Sequence, residues 1–191
     1  EAFWEKQCIN VANKISQSNS VINRVKKLLP PCSLKFLYDS FIQSHLQYSL
    51  PVWGGCSNPH KKRIVSLQKR AIRTITKSQF TAHTEPRMKQ NKILHFDDLW
   101  KHQTLMLVHD CVNNSAPGEI CNLIKPEPLQ SGPTLRSHTS KSQNLAVPRS
   151  GSKATSQSFS VNGPSLWNGL PNELKVIKKR HIFKESLKKF Y

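Results

Sequence analysis

Apolar residues recur at spacings of three and four along most of this chain, the period of helices with one buried face. Between Phe3 and Ser16 the stripe is Trp4, Cys8, Val11, Ala12 and Ile15. Ser18–Asn19–Ser20 then predicts a break, with side chains suited to capping a second helix from Val21 to Leu29 that Pro30–Pro31 stops. Ser33 is suited to cap a third, with Leu34, Leu37, Tyr38, Phe41, Ile42, His45 and Leu46 at helical spacing and a turn at Pro51–Val52–Trp53–Gly54–Gly55. Phe36, Tyr38, Phe41, Tyr48 and Trp53 are dense enough to predict an aromatic core rather than platforms for bases. His60 to Lys77 is the clearest helix. At roughly 100° per residue, Ile64, Leu67, Ala71, Ile72 and Ile75 gather on one side, opposite Lys62, Ser66, Lys69, Arg70, Arg73 and Lys77.

Further on, a polar turn region leads into a short helix from Pro86 to Leu94. Phe96 to Asn113 repeats Leu99, Trp100, Thr104, Leu107, Val108 and Cys111 at helical spacing, and Pro117 to Ile124 adds one or two turns. At Lys125 the pattern stops. Pro126, Pro128, Gly132 and Pro133 predict a linker, and Ser, Thr and basic residues dominate from Ser131 to Ser160. Two β-prone runs, Asn144–Val147 and Ser158–Val161, flank Arg149–Ser150–Gly151–Ser152, so this stretch reads either as a small hairpin or as disordered. Trp167 is expected to anchor the segment before the last helix, His181 to Phe190, whose apolar face is Ile182, Phe183, Leu187 and Phe190. The fold class is therefore mainly α: a helical bundle over 1–78, a helical connector over 79–124, a Pro/Ser-rich basic linker or weak hairpin over 125–160, and a Trp-containing segment with a short helix over 161–191.

Charge changes what these helices are for. The 191 residues carry 29 Lys and Arg against 11 Asp and Glu, a formal net charge of +18. Self-repulsion of that size favours a polyanionic partner. The excess peaks in residues 57–95, where ten basic residues meet only Glu85. The polar face of the His60–Lys77 helix mixes in no acidic residue, unlike a face built for i,i+4 ion pairs. Lys62, Arg63, Lys69, Arg70, Arg73 and Lys77 are the leading candidates for contacts to nucleic-acid phosphates, with Arg24, Lys26 and Lys27 second. Lys175, Lys178, Lys179, Arg180, Lys184, Lys188 and Lys189 form a C-terminal basic group that reads as a nucleic-acid contact, a nuclear import signal or a solvated tail. A membrane-surface role fits less well, because the basic helix has no Trp or Phe on its apolar face. No run approaches the roughly 20 apolar residues of a spanning helix.

Catalytic chemistry is sparse. The paired Asp97–Asp98 are expected to open a helix, where carboxylates complement the helix dipole, and no third carboxylate stands at a suitable place upstream to complete a metal site. There is no HExxH, no GxSxG and no phosphate-cradling glycine loop among only seven glycines. Five dispersed cysteines, none at C-x₂₋₄-C spacing, predict reduced thiols in an intracellular protein rather than a zinc site. No catalytic residue, metal ligand or cofactor is expected in this chain. It opens on Glu1 rather than Met, which predicts a piece of a longer polypeptide.

Several fragments, taken in order, resemble the thumb and downstream region of reverse transcriptases from non-LTR (LINE-type) retrotransposons. They are Val21–Ile22–Asn23–Arg24–Val25 with Leu28–Leu29–Pro30, Leu37 to Tyr48 running to Trp53–Gly54, and Leu67–Gln68–Lys69–Arg70–Ala71–Ile72–Arg73. His83–Thr84–Glu85–Pro86, Ile93–Leu94, Asp97, Leu135–Arg136, Pro148, Gly163–Pro164, Leu166–Trp167–Asn168–Gly169–Leu170–Pro171 and Phe183–Lys184 continue the series. The resemblance implies the C-terminal part of an RNA-directed DNA polymerase that grips the template–primer during target-primed reverse transcription. It implies partners in template RNA, primer or target DNA and upstream polymerase domains, and a nuclear location. The Mg-binding palm and the endonuclease would lie upstream, so this chain alone is expected to be inactive. The zinc knuckle that ends some relatives is missing from the sequence. A free-standing or co-opted basic RNA/DNA-binding module is the rival reading.

Overall fold

The computed structural model describes residues 4–127 and 144–190. Its chain divides into two compact units, Glu1–Trp100 and Lys101–Tyr191, with the division inside one helix, Phe96–Val112. Among the described residues the secondary structure is helical, with one isolated bridge and no strand. The mainly α expectation is met.

In the first unit, α1 (Glu5–Val25) packs against α5 (Asn58–Ile75). Between them in the chain lie α2 (Pro31–Tyr38), a single π-helical turn (Asp39–Gln43), α3 (Ser44–Gln47) and α4 (Leu50–Trp53). The expected break at Ser18–Asn19–Ser20 does not occur. Ser18 and Ser20 donate their hydroxyls to the carbonyls one turn back, Lys14 and Ser16, at 2.9 and 3.2 Å, so neither is free to cap a new helix. Asn19 is buried and donates Nδ2 to the Leu67 carbonyl of α5 at 3.1 Å. The polar triplet that reads as an interruption is a tertiary clamp.

The core of this unit takes Val11, Ala12, Ile15 and Ile22 from α1, Leu34 and Tyr38 from α2, and Ile64, Ala71, Ile72 and Ile75 from α5. Tyr38 and Trp53 are buried as expected, but Phe36 is 70% exposed, Tyr48 72% and Phe41 45%. The π turn explains part of this. Its Ser44 N–H reaches back five residues to the Asp39 carbonyl, which shifts the helical phase. Ile42 and Leu46 then face the core while Phe41 swings out. Gly54 is required by close approach: a Cβ there would stand 2.2 Å from Trp100 Cδ1 and 2.7 Å from the Leu50 carbonyl oxygen.

After α6 (Glu85–Gln90), α7 (Phe96–Val112) begins with Asp97 and Asp98 in its first turn. Asp97 lies 3.6 Å from Lys61. The second unit takes α7 from Lys101 onward, α8 (Gly118–Cys121), α9 (Lys153–Ser156), α10 (Phe159–Asn168), α11 (Asn172–Lys175) and α12 (Arg180–Phe190). Leu105, Val108, Trp167, Phe183 and Leu187 are its fully buried centre, with Trp167 the anchor expected. Ile182 and Phe190 of the expected apolar face are 42% and 51% exposed.

The hairpin reading fails on its second arm. Ser158–Val161 enters α10, where Phe159 and Gly163 pack toward α7: a Cβ on Gly163 would meet Val108 Cγ2 at 3.0 Å. The first arm bridges elsewhere, Leu145 to Pro126. Asn168 completes that pairing by accepting the Leu145 N–H at 2.9 Å and donating to its carbonyl at 2.8 Å. Residues 128–143, which include Leu135 and Arg136 and much of the stretch read as hairpin or disorder, lie outside the described residues.

Candidate nucleic-acid interface

α1 and α5 run side by side in the same direction. Arg63 Nη2 donates to Asn13 Oδ1 at 3.3 Å, the Asn19–Leu67 bond follows, and the two C-terminal ends meet in one groove of about 810 Å³. Two C-terminal ends carry the negative poles of two helix dipoles, so cations gather there at reduced mutual cost.

Five of the nine sequence-nominated cations line this groove: Lys26 and Lys27 from the turn after α1, and Arg70, Arg73 and Lys77 from the last turns of α5. Asn23, Thr74, Ser78 and Phe80 also line it, and among the described residues no acidic one takes part. Lys62, Arg63, Lys69 and Arg24 are not in it. Lys62, Arg63 and Arg24 are exposed and Lys69 half-buried, and Arg63 is engaged with Asn13.

The groove floor is shaped by how α5 ends. The Ser78 N–H bonds the Arg73 carbonyl at 2.9 Å and the Lys77 N–H bonds the Thr74 carbonyl at 3.2 Å, the paired bonds of a Schellman ending. Such an ending needs a left-handed residue, and Lys77 takes it with φ 49°. Glycine would adopt this conformation with less strain. Here the position carries a charge instead. Ser78 is held in place by Arg87 Nε, and Arg87 Nη1 donates to the His83 carbonyl at 2.7 Å. Arg73 is half committed to structure: its Nε donates to the Ala82 carbonyl at 3.0 Å, and its guanidinium lies over the Phe80 ring, 5.7 Å from the centroid.

No family model, curated protein or solved structure matches this chain. A role for the groove therefore rests on its own residues.

Sequence reasoning missed Phe80, which is 81% exposed on the wall of the groove. Its one signal is a lone aromatic in the polar run Ser78–Gln79–Phe80–Thr81, off any helical stripe. It also missed Lys61, whose ammonium sits between Asp97 and the Trp100 ring, 4.7 Å from the centroid. In the second unit the C-terminal basic group is split. Lys175 is buried, donating to Asn144 Oδ1 and the Asn168 carbonyl, each at 3.1 Å, and burial lowers its pKa. Arg180 grips both carboxylate oxygens of Asp110 at 2.9 and 3.1 Å. Lys178, Lys179, Lys184, Lys188 and Lys189 are exposed.

Among the described residues no three His, Cys, Asp or Glu side chains converge to hold a metal ion. No helix among them is long and apolar enough to cross a membrane.

Proposed function

We propose that this chain is a nucleic-acid-gripping, thumb-like C-terminal part of an RNA-directed DNA polymerase of a non-LTR retrotransposon. In this reading it holds the template–primer backbone during target-primed reverse transcription, in the nucleus, while polymerase domains of the same polypeptide supply the Mg-dependent chemistry. The observation that carries it is the groove where Lys26, Lys27, Arg70, Arg73 and Lys77 meet with no carboxylate among the described residues that line it. Phosphate grip needs closely spaced cations on a rigid support, because affinity without sequence preference comes from counterion release. Two packed helices and a capped turn provide that support. The order of sequence fragments that resembles the retrotransposon enzymes adds the polymerase context.

The test is binding of the whole chain to a fluorescent RNA–DNA duplex across a salt series. Affinity that falls steeply and linearly with log salt, with no preference among sequences and no nucleotide incorporation by the chain alone, is the expected result. Absence of binding at low salt, or a flat slope, overturns the reading. A co-opted module without polymerase domains binds in the same way, and the open reading frame upstream of Glu1 separates the two: an aromatic-x-Asp-Asp motif there supports the polymerase part.

A further inference from the structure

We infer that the groove receives an unpaired stretch of nucleic acid, one of whose bases stacks on Phe80. The inference rests on the nucleic-acid reading above and narrows its ligand from a duplex backbone to a single-stranded segment. A phenylalanine ring 81% exposed to water is an unfavourable placement for an apolar side chain. Here it is also held in position, because the Arg73 guanidinium lies over it and that guanidinium is tied to the Ala82 carbonyl. One ring face is therefore occupied and the rest stays open beside the cations. Cations tracking a backbone, interleaved with an aromatic ring for bases, is the arrangement that suits single strands. In a duplex the base faces are already stacked on their neighbours, so a lone ring has nothing to receive. The volume, about 810 Å³, lies within the range of roughly 300–1,000 Å³ that encloses a drug-sized molecule. That is room for a short run of nucleotides with the phosphates set toward Lys27, Arg70 and Lys77.

The experiment compares the full chain with F80A and F80W on three fluorescent probes: an oligothymidylate, an abasic strand with the same number of phosphates, and a blunt RNA–DNA duplex. Phe80 is exposed, so both variants are expected to keep the wild-type melting temperature, and circular dichroism checks this. F80A is expected to weaken oligothymidylate binding by about 5- to 150-fold, the range for loss of one stacked base, and to leave the abasic strand and the duplex within about twofold; F80W is expected to keep wild-type affinity. Equal effects of F80A on the base-bearing and abasic strands, or no effect on either, overturns the inference while leaving the phosphate grip intact. Failure of the wild-type chain to bind any probe at low salt overturns the underlying reading instead.

Discussion

Gln68 accepts the backbone N–H of Phe96 on its Oε1 at 3.0 Å. Its Nε2 donates to the Leu94 carbonyl at 3.0 Å and to the Tyr38 hydroxyl at 3.2 Å. The side chain is fully buried, so one carboxamide ties α5 to α2 and to the start of α7. Gln68→Leu keeps the volume and removes every one of these partners. Unsatisfied buried groups cost about 1–3 kcal/mol each, so a destabilisation of about 3 kcal/mol is expected. Urea unfolding checks it through a lower midpoint at unchanged slope. A midpoint within error of wild type would mean that water replaces the carboxamide.

The groove makes a finer prediction than net charge does. Lys27 and Arg70 are exposed on its wall, whereas Lys62 is exposed elsewhere on the same helix as Arg70. Reversing both groove charges, Lys27→Glu with Arg70→Glu, is expected to lower affinity for nucleic acid at least about tenfold. The salt slope should fall by about 1 for each phosphate that is no longer neutralised. Lys62→Glu carries the same charge change per residue and is expected to do less. Equal effects per charge at all three positions would point to a diffuse basic surface.

Lys77 sets stability against binding at a single residue. Its φ of 49° lies in the left-handed region, where a side chain costs roughly 1 kcal/mol relative to glycine. Lys77→Gly is therefore expected to raise stability by about 0.5–1 kcal/mol while lowering affinity for nucleic acid and reducing the salt slope. Opposite signs in a thermal melt and a binding titration on the same variant support a binding role for the charge. Unchanged affinity would make this lysine a strained cap and nothing more.

How far the sequence alone could reach is clearest at particular positions. The His60–Lys77 periodicity marked Ile64, Leu67, Ala71, Ile72 and Ile75 as the apolar side; all are buried except Leu67, which is half-buried. The periodicity passed over Gln68 among them, because a polar residue at a core position is invisible to an apolar stripe until its partners are known. Ser18–Asn19–Ser20 misled for the same reason: their local tendency to cap was overruled by back-bonding to Lys14 and Ser16 and by the Leu67 carbonyl 48 positions away. Phe36 already stood off the Leu34–Tyr38 stripe and is exposed for that reason, whereas the exposed Phe41 could not be separated from Ile42, because the π turn Asp39–Gln43 that shifts the helical phase has no residue signature. The groove itself was half legible. Charge nominated its cations on each helix, but only the shared direction of α1 and α5 brings Lys26 and Lys27 to Arg70 and Lys77. Asn168 reads as one polar residue in a Trp–Asn–Gly turn, and its pairing with both backbone groups of Leu145 spans 23 positions.

The second unit carries an acid sensitivity at His102. This histidine is buried on α7, and its pKa is pushed down to about 4, first by burial and then by the charges of Lys188 and Lys184 on α12. An unfolded histidine titrates near 6.5. Between those values the unfolded chain binds a proton that the folded chain refuses, so stability is full above about pH 6.5 and is lost as pH falls toward 4. Going from about pH 7.5 to about pH 5 is expected to cost about 1 kcal/mol through this residue, allowing for solvent screening. His102→Leu removes the titrating group and is expected to flatten the decline. Thermal unfolding of both proteins at the two pH values is the measurement. Parallel declines in the two would move the acid sensitivity to another group, whereas a smaller decline in His102→Leu locates it beneath the lysine-bearing face of α12.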